Sequence, residues 1–232
     1  MMQVIRADER GKTRIGWLDS KHTFSFGSYY NPNAMGFSTL RVINDDRVAP
    51  GQGFGTHPHR DMEIISYVVE GQLEHKDSMG TGSVIEPGDV QIMSAGTGVT
   101  HSEFNPSKEN PVRFLQIWIP PAEQGAKPRY DQKRFDWTER RGKLRVLVSP
   151  DGEQDSLPIR QDARILGGLF DEGEEATFEL PRGRNAWVQV VKGKLEVNGV
   201  ELTEGDGLAV AEEQALQFKG IADSEVLLFD LQ

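Results

Sequence analysis

The chain has 232 residues, a formal net charge of -10 from 26 Lys and Arg against 36 Asp and Glu, 25 glycines and no cysteine. That charge disfavours general binding to nucleic acid or anionic lipid, and the missing cysteines exclude disulfides, thiolate ligands and cysteine nucleophiles, leaving nitrogen and oxygen donors for any metal. The start MMQVIRADERGK has no apolar signal core and no stretch nears the roughly 20 apolar residues of a spanning helix, so a cytoplasmic protein is expected, with no membrane partner.

Short apolar runs bounded by Gly, Pro, Asn and Asp follow one another at residues 36–43 (GFSTLRVI), 63–71 (EIISYVVEG), 90–96 (VQIMSAG), 113–119 (RFLQIWI), 143–149 (KLRVLVS), 164–170 (RILGGLF), 186–193 (AWVQVVKG) and 225–231 (EVLLFDL). Sustained helical periodicity is missing. The pattern predicts an all-β sandwich or barrel, with short helical turns only near Pro121 to Gly125 and Asp131 to Trp137. The basic run Lys133, Arg134, Arg140, Arg141, Lys143 and Arg145 reads as a solvated face.

An internal repeat organises these runs. Val68-Val69-Glu70-Gly71-Gln72-Leu73-Glu74 resembles Val190-Val191-Lys192-Gly193-Lys194-Leu195-Glu196, 122 positions on, and Gly88-Asp89 matches Gly205-Asp206, 117 positions on. Two matched pieces in the same order predict two tandem barrels. The expected domains are residues 1–135 and 136–232, with the polar, proline-bearing stretch Pro120 to Lys143 as linker.

All five histidines precede residue 102. In His57-Pro58-His59 the period of two puts both imidazoles on one face of a strand, and His101-Ser102-Glu103 repeats that spacing. If both faces turn into one barrel, three imidazoles and a carboxylate converge as a metal site. A histidine alone more often sits hydrogen-bonded in a core, but two such pairs together favour a metal. His22, beside the aromatic Phe24 and Phe26, reads as structural, and His75, heading into a turn, as solvated. Glu63 is the competing carboxylate: on a straight strand it would lie about 13 Å from His59, beyond a common ligand shell, unless the chain turns at Arg60 to Met62. Three histidines and a carboxylate would close a tetrahedral zinc site but leave two positions open on an octahedral metal.

The segments Gly51-x5-His57-x-His59-x3-Glu63 and Gly98-x2-His101-x3-Asn105 resemble the paired motifs of the cupin superfamily. HTFSFGSYYNP, FGTHPHRDMEI, EHKDSMG, IMSAGTGVTHSEFN and QIWIPP resemble the pirin family more narrowly, and the second half resembles its degenerate cupin. The resemblance implies a bicupin of two jelly-roll-like barrels, with one metal, Fe(II) ahead of Zn, Mn, Co, Ni or Cu, held in the first by His57, His59, His101 and Glu103. Gly96 stands near the proline of the usual second motif, an exchange expected to loosen that loop. Carried through the repeat, the ligand positions fall on Glu179, Pro181, Phe218 and Gly220, so the second barrel is expected to hold no metal. Bacterial pirin-like proteins resemble quercetin 2,3-dioxygenases, which implies a flavonol and O₂ as substrates, carbon monoxide as a product, and Glu103 as the base that takes the 3-hydroxyl proton. The alternative implied by the resemblance is a metal- or redox-responsive regulatory protein that binds a protein partner.

Overall fold

The computed structural model describes residues 1–232. In the first half β2 (Gly11–Ile15), β3 (Leu18–His22), β4 (Val42–Val48), β6 (Glu63–Glu70), β9 (Asp89–Ser94), β11 (Val112–Ile119) and β12 (Arg129–Arg134) form a seven-stranded sheet in the order β12-β9-β6-β11-β4-β3-β2. Against it lies a four-stranded sheet, β5-β10-β7-β8, made of β5 (Gly53–His59), β7 (Leu73–Asp77), β8 (Gly82–Ile85) and β10 (Val99–Phe104).

The second half repeats the plan. Its large sheet runs β1-β20-β17-β22-β15-β13-β14 through β1 (Met2–Ile5), β13 (Leu144–Ser149), β14 (Leu157–Pro158), β15 (Arg164–Phe170), β17 (Asn185–Lys192), β20 (Gly207–Val210) and β22 (Ser224–Leu231). Its small sheet runs β16-β21-β18-β19 through β16 (Glu175–Glu179), β18 (Lys194–Val197), β19 (Val200–Thr203) and β21 (Ala215–Gly220). The chain is all-β, and the two barrels share one topology.

The repeated motifs are turns with a common chemistry. Gly71 and Gly193 close the two hairpins at φ of 77° and 74°, and a Cβ there would lie 2.7 Å from the Pro111 carbonyl and 1.8 Å from that of Asp223. Only glycine meets both demands. In each Gly-Asp pair the aspartate accepts from the backbone three residues earlier: Asp89 from Glu86 N–H at 3.1 Å and Asp206 from Thr203 N–H at 3.0 Å.

Two strands depart from the sequence-based division. β1 pairs with β20 on the far barrel, so residues 2–5 lie in the sheet of the second half. In the first barrel the matching edge position, beside β9, is filled by β12, which comes from the expected linker and from the stretch read as a helical turn. The helical turns that do form are at Trp137–Glu139 and Glu153–Asp155; residues 121–125 form none. The run 36–43 enters β4 only at Val42, because Phe37 and Leu40 bridge each other in a tight turn. β4 instead continues through the polar Asn44, Asp45, Asp46 and Arg47.

Alternation along the strands explains that polarity. On β6 and β11 the residues Ile65, Tyr67, Leu115 and Ile117 face the other barrel, and they join Leu147, Ile165, Trp187, Leu227 and Phe229 in a 24-residue core between the two large sheets. Asp45 on the same face is buried with Arg113, whose Nε and Nη2 donate to it at 2.9 and 3.0 Å. The second lumen is filled by a 16-residue apolar core. In the first, the apolar clusters number only 6 and 4 residues, and the remaining inward positions are polar. No helix is long and apolar enough to cross a membrane.

Candidate metal centre

β5 and β10 pair antiparallel with His101 opposite His57 and Val99 opposite His59. Between His101 and Glu103 the register slips by one residue, so that Glu103 faces Phe54 and β5 carries the extra residue of a bulge. Gly53 permits the close approach this requires, since a Cβ there would lie 2.2 Å from the Glu103 carbonyl. The imidazoles of His57, His59 and His101 come together with ligand nitrogens within 4.8 Å of one another, and Nε2 of His57 and His101 are 3.0 Å apart. His57 Nδ1–H donates to the Gly55 carbonyl at 2.7 Å, which leaves Nε2 with its lone pair facing the cluster.

Glu103 points into the lumen, 1% exposed, and accepts from Ser66 Oγ and Gln116 Nε2, both at 3.2 Å. It groups with His101 and with a residue read from sequence as solvated, His75. That expectation is corrected here. β7 runs on to Asp77, so Leu73, His75 and Asp77 alternate inward, and the turn begins only afterwards, where Asp77 Oδ1 accepts from Met79 and Thr81 N–H at 2.8 and 3.0 Å. His75 sits opposite Glu103 in the pairing, its Nδ1 is 3.4 Å from His101 Nδ1, and its Nε2 contacts Asp77 Oδ2 at 3.0 Å. The sequence signal was present: Leu73 after the Gly71 hairpin must point inward, and His75 shares its parity.

Glu63 is not in the cluster. The chain does turn between β5 and β6, with Asp61 at a φ of 46°, but the turn delivers Glu63 to the face between the barrels. There its carboxylate accepts from Ser94 Oγ at 2.8 Å and Arg160 N–H at 3.3 Å. The loop at Gly96 is pinned rather than loosened. Its φ is 46° and a Cβ would lie 1.9 Å from the Ala126 carbonyl, which also accepts from Thr97 N–H at 2.9 Å.

Burial sets the protonation of the cluster. Desolvation, with smaller contributions from neighbouring histidines, pushes His59 down to about 4 and His101 down to about 2. Both are neutral donors at neutral pH. Desolvation lifts Glu103 to about 7, against the opposing hydrogen bonds from Ser66 and Gln116. The neutral imidazoles of His59 and His101, the His57 ring beside them and a buried carboxylate suit a divalent transition metal.

His57 and His59 also line a cavity of about 470 Å³ whose walls include Trp17, Phe26, Phe54 and Trp118, a size ordinary for a small-molecule site. His59 packs edge-on to Trp118 with centroids 5.0 Å apart. His22, read as structural, is buried and fixed by Thr13 Oγ1 at 2.9 Å and Asn44 Oδ1 at 2.7 Å, and it lines the same cavity. Asp46, which the sequence did not single out, lines it too. Burial, the largest effect, and the nearby carboxylates of Glu103 and Asp45 push Asp46 up to about 7 against a hydrogen bond from Ser20.

In the second barrel Phe218 lies in the apolar core, stacked on Phe170 with centroids 6.1 Å apart. Phe218 pairs with Ala176 as His101 pairs with His57, so Ala176 and not Glu179 is the counterpart of His57.

Comparison with known proteins agrees with this architecture. Residues 4–119 match the pirin family and residues 146–231 the quercetinase C-terminal cupin domain. The chain is 52% identical over 231 residues, all of it and 99% of its relative, to a quercetin 2,3-dioxygenase of Escherichia coli strain K12. It is 43% identical over 224 residues, 96% of both chains, to a pirin-like protein of Caulobacter vibrioides. Among solved structures, the bacterial pirin YhhW of Escherichia coli in complex with nickel(II) superposes with a TM-score of 0.95 at 50% identity, over 100% of this chain and 99% of that one. With two cupin barrels, a pirin domain in the first and full-length relatives of this similarity, the chain belongs to the pirin family.

Proposed function

We propose that this protein is a metal-dependent dioxygenase that opens a flavonol such as quercetin with O₂ and releases carbon monoxide. The observation that carries the reading is the placement of clustered histidines and a buried carboxylate beside an aromatic-walled cavity of about 470 Å³. His57, His59, His101 and Glu103 would hold one divalent ion, with Fe(II) the first candidate; the nickel complex of a relative supports a transition metal without fixing which. Bound there, the ion would supply Lewis-acid and one-electron chemistry together with positions left open for substrate oxygens.

The chain's own residues do the rest. Trp17, Phe26, Phe54 and Trp118 offer flat apolar surfaces to a planar ring system and keep water from it. Glu103, the buried carboxylate of the cluster, accepts the proton of the 3-hydroxyl as general base. Ser66 and Gln116 keep its oxygens aimed into the lumen. Activity then needs the ion, the 3-hydroxyl and Glu103 together. The test is O₂ uptake and carbon monoxide release by metal-loaded protein with quercetin and with its 3-deoxy analogue. Turnover confined to the flavonol is expected, and equal behaviour of the two would remove the dioxygenase reading in favour of a regulatory metal protein.

A further inference from the structure

Ten buried polar side-chain atoms in this protein have no hydrogen-bond partner, and two of them belong to residues lining the cavity beside the histidine cluster: Asp46 Oδ1 and Trp118 Nε1. Leaving such an atom unpaired costs about 1–3 kcal/mol, and in a cavity wall a ligand can recover it. The two atoms are complementary in type. The indole N–H can only donate, whereas a carboxyl oxygen accepts.

Their setting is built rather than incidental. Asn44 and Asp46 share one face of β4 by the period of two, and Asp46 is 2% exposed. The Asn44 carbonyl oxygen is occupied by His22 Nδ1, and His22 Nε2 by the Thr13 hydroxyl, so the neighbours of Asp46 hold one another and leave its Oδ1 free. Phe26 packs on the His22 ring with centroids 5.5 Å apart, which fixes that wall further. The strand therefore carries a carboxyl oxygen, Asp46 Oδ1, that no protein group satisfies, on the wall of the cavity that His57 and His59 also line.

We propose that Asp46 and Trp118 form a second polar subsite that selects polyhydroxylated aromatic ligands, Asp46 binding a ring hydroxyl remote from the chelating oxygens and Trp118 donating to a ligand oxygen. This rests on the flavonol reading above and narrows it: chelation at the metal would be common to all flavonols, while the subsite distinguishes those with further ring hydroxyls.

The test uses anaerobic binding to the full-length nickel-loaded protein, followed by quenching of tryptophan fluorescence, with quercetin and with 3-hydroxyflavone. Both ligands carry the chelating pair, but only quercetin has the additional hydroxyls. The wild type should bind quercetin about tenfold more tightly. Asp46→Leu should abolish that preference by weakening quercetin alone, with 3-hydroxyflavone affinity and nickel content unchanged, and Trp118→Phe should weaken both ligands. Circular dichroism checks the fold of each variant, and the wild-type comparison stands without them. Equal affinities for the two ligands in the wild type, or a preference that survives Asp46→Leu, would overturn the subsite while leaving metal chelation intact. If neither ligand binds, with or without nickel, the flavonol reading and the subsite fall together.

Discussion

His75 offers the sharpest test of how the cluster is organised. Its Nδ1 lies 3.4 Å from His101 Nδ1, while on the other side of His101 Nε2 is 3.0 Å from His57 Nε2. A neutral His101 has one proton for these two contacts. When Nε2 coordinates a metal the proton must sit on Nδ1, where His75 accepts it while donating from Nε2 to the buried Asp77. Replacing His75 by Phe keeps a planar ring against Tyr130, whose centroid is 4.8 Å away, but removes the acceptor. Loss of such a partner costs about 10–100-fold in metal affinity, or about 1.4–2.7 kcal/mol. Asp77 stays partly satisfied by Met79 and Thr81, so the fold should survive. The assay is nickel(II) competition against a chelator for His75→Phe and wild type. Affinity within twofold of wild type would refute the hydrogen-bonded chain, and a loss as large as that of His101→Ala would show that the ion instead uses His75, His101 and Glu103.

Elemental analysis should find one ion per chain, and His59→Ala or His101→Ala should lower its affinity by at least about 100-fold while leaving the circular dichroism spectrum unchanged, because the cores lie elsewhere. Glu103→Gln should reduce quercetin turnover by about 10²–10⁴-fold, whereas Glu63→Gln, on the face between the barrels, should leave metal content intact and cost only about 1 kcal/mol of stability in a denaturant melt. Asp46 is held near 7, above its ordinary 3.8, so its contribution to stability is present at low pH and is lost as pH rises through the folded value, on the order of 4 kcal/mol in all. Asp46→Asn should accordingly raise the urea midpoint of metal-free protein more at pH 8 than at pH 5, and an equal change at both would refute that assignment. Residues 1–135 expressed alone should be recovered soluble only when 136–232 is co-expressed, as gel filtration would show.

Much of the site was legible because its donors obey the strand period. His57-Pro58-His59 and His101-Ser102-Glu103 each place two side chains on one face, and nothing but antiparallel pairing of β5 and β10 is needed to bring the faces together. Pattern reading failed where both faces of a strand are polar for different reasons. β4 carries Asn44 and Asp46 towards the cavity and Asp45 towards Arg113, so its sequence resembles a loop. The placement of β1 on the far barrel leaves no local trace at all, since its register with β20 is set 202 to 208 positions away. For Glu63 the spacing leaves the outcome open: the chain does turn before it, and the face on which β6 presents Glu63, against Ser94 and Arg160, keeps it out of the cluster.

The contrast between the two lumens suggests why both barrels are kept. Filling the first with Asp46, Ser66, His75, Gln91, His101, Glu103 and Gln116 gives up the apolar burial that would otherwise stabilise it, and unpaired or desolvated groups such as Asp46 Oδ1 add a cost of their own. The apolar clusters left inside it are small. The face that β6, β11 and β4 turn towards the second barrel buries Ile43, Ile65, Tyr67, Leu115, Ile117 and Ile119, each worth about 1.5–3 kcal/mol. That is on the order of 10 kcal/mol, comparable to the entire stability of an ordinary domain. Arg113 ties the same face across, from Asp45 to the Val191 carbonyl. A barrel whose interior is lined by polar side chains thus draws its stability from outside itself, and the second barrel, whose lumen is apolar, supplies it.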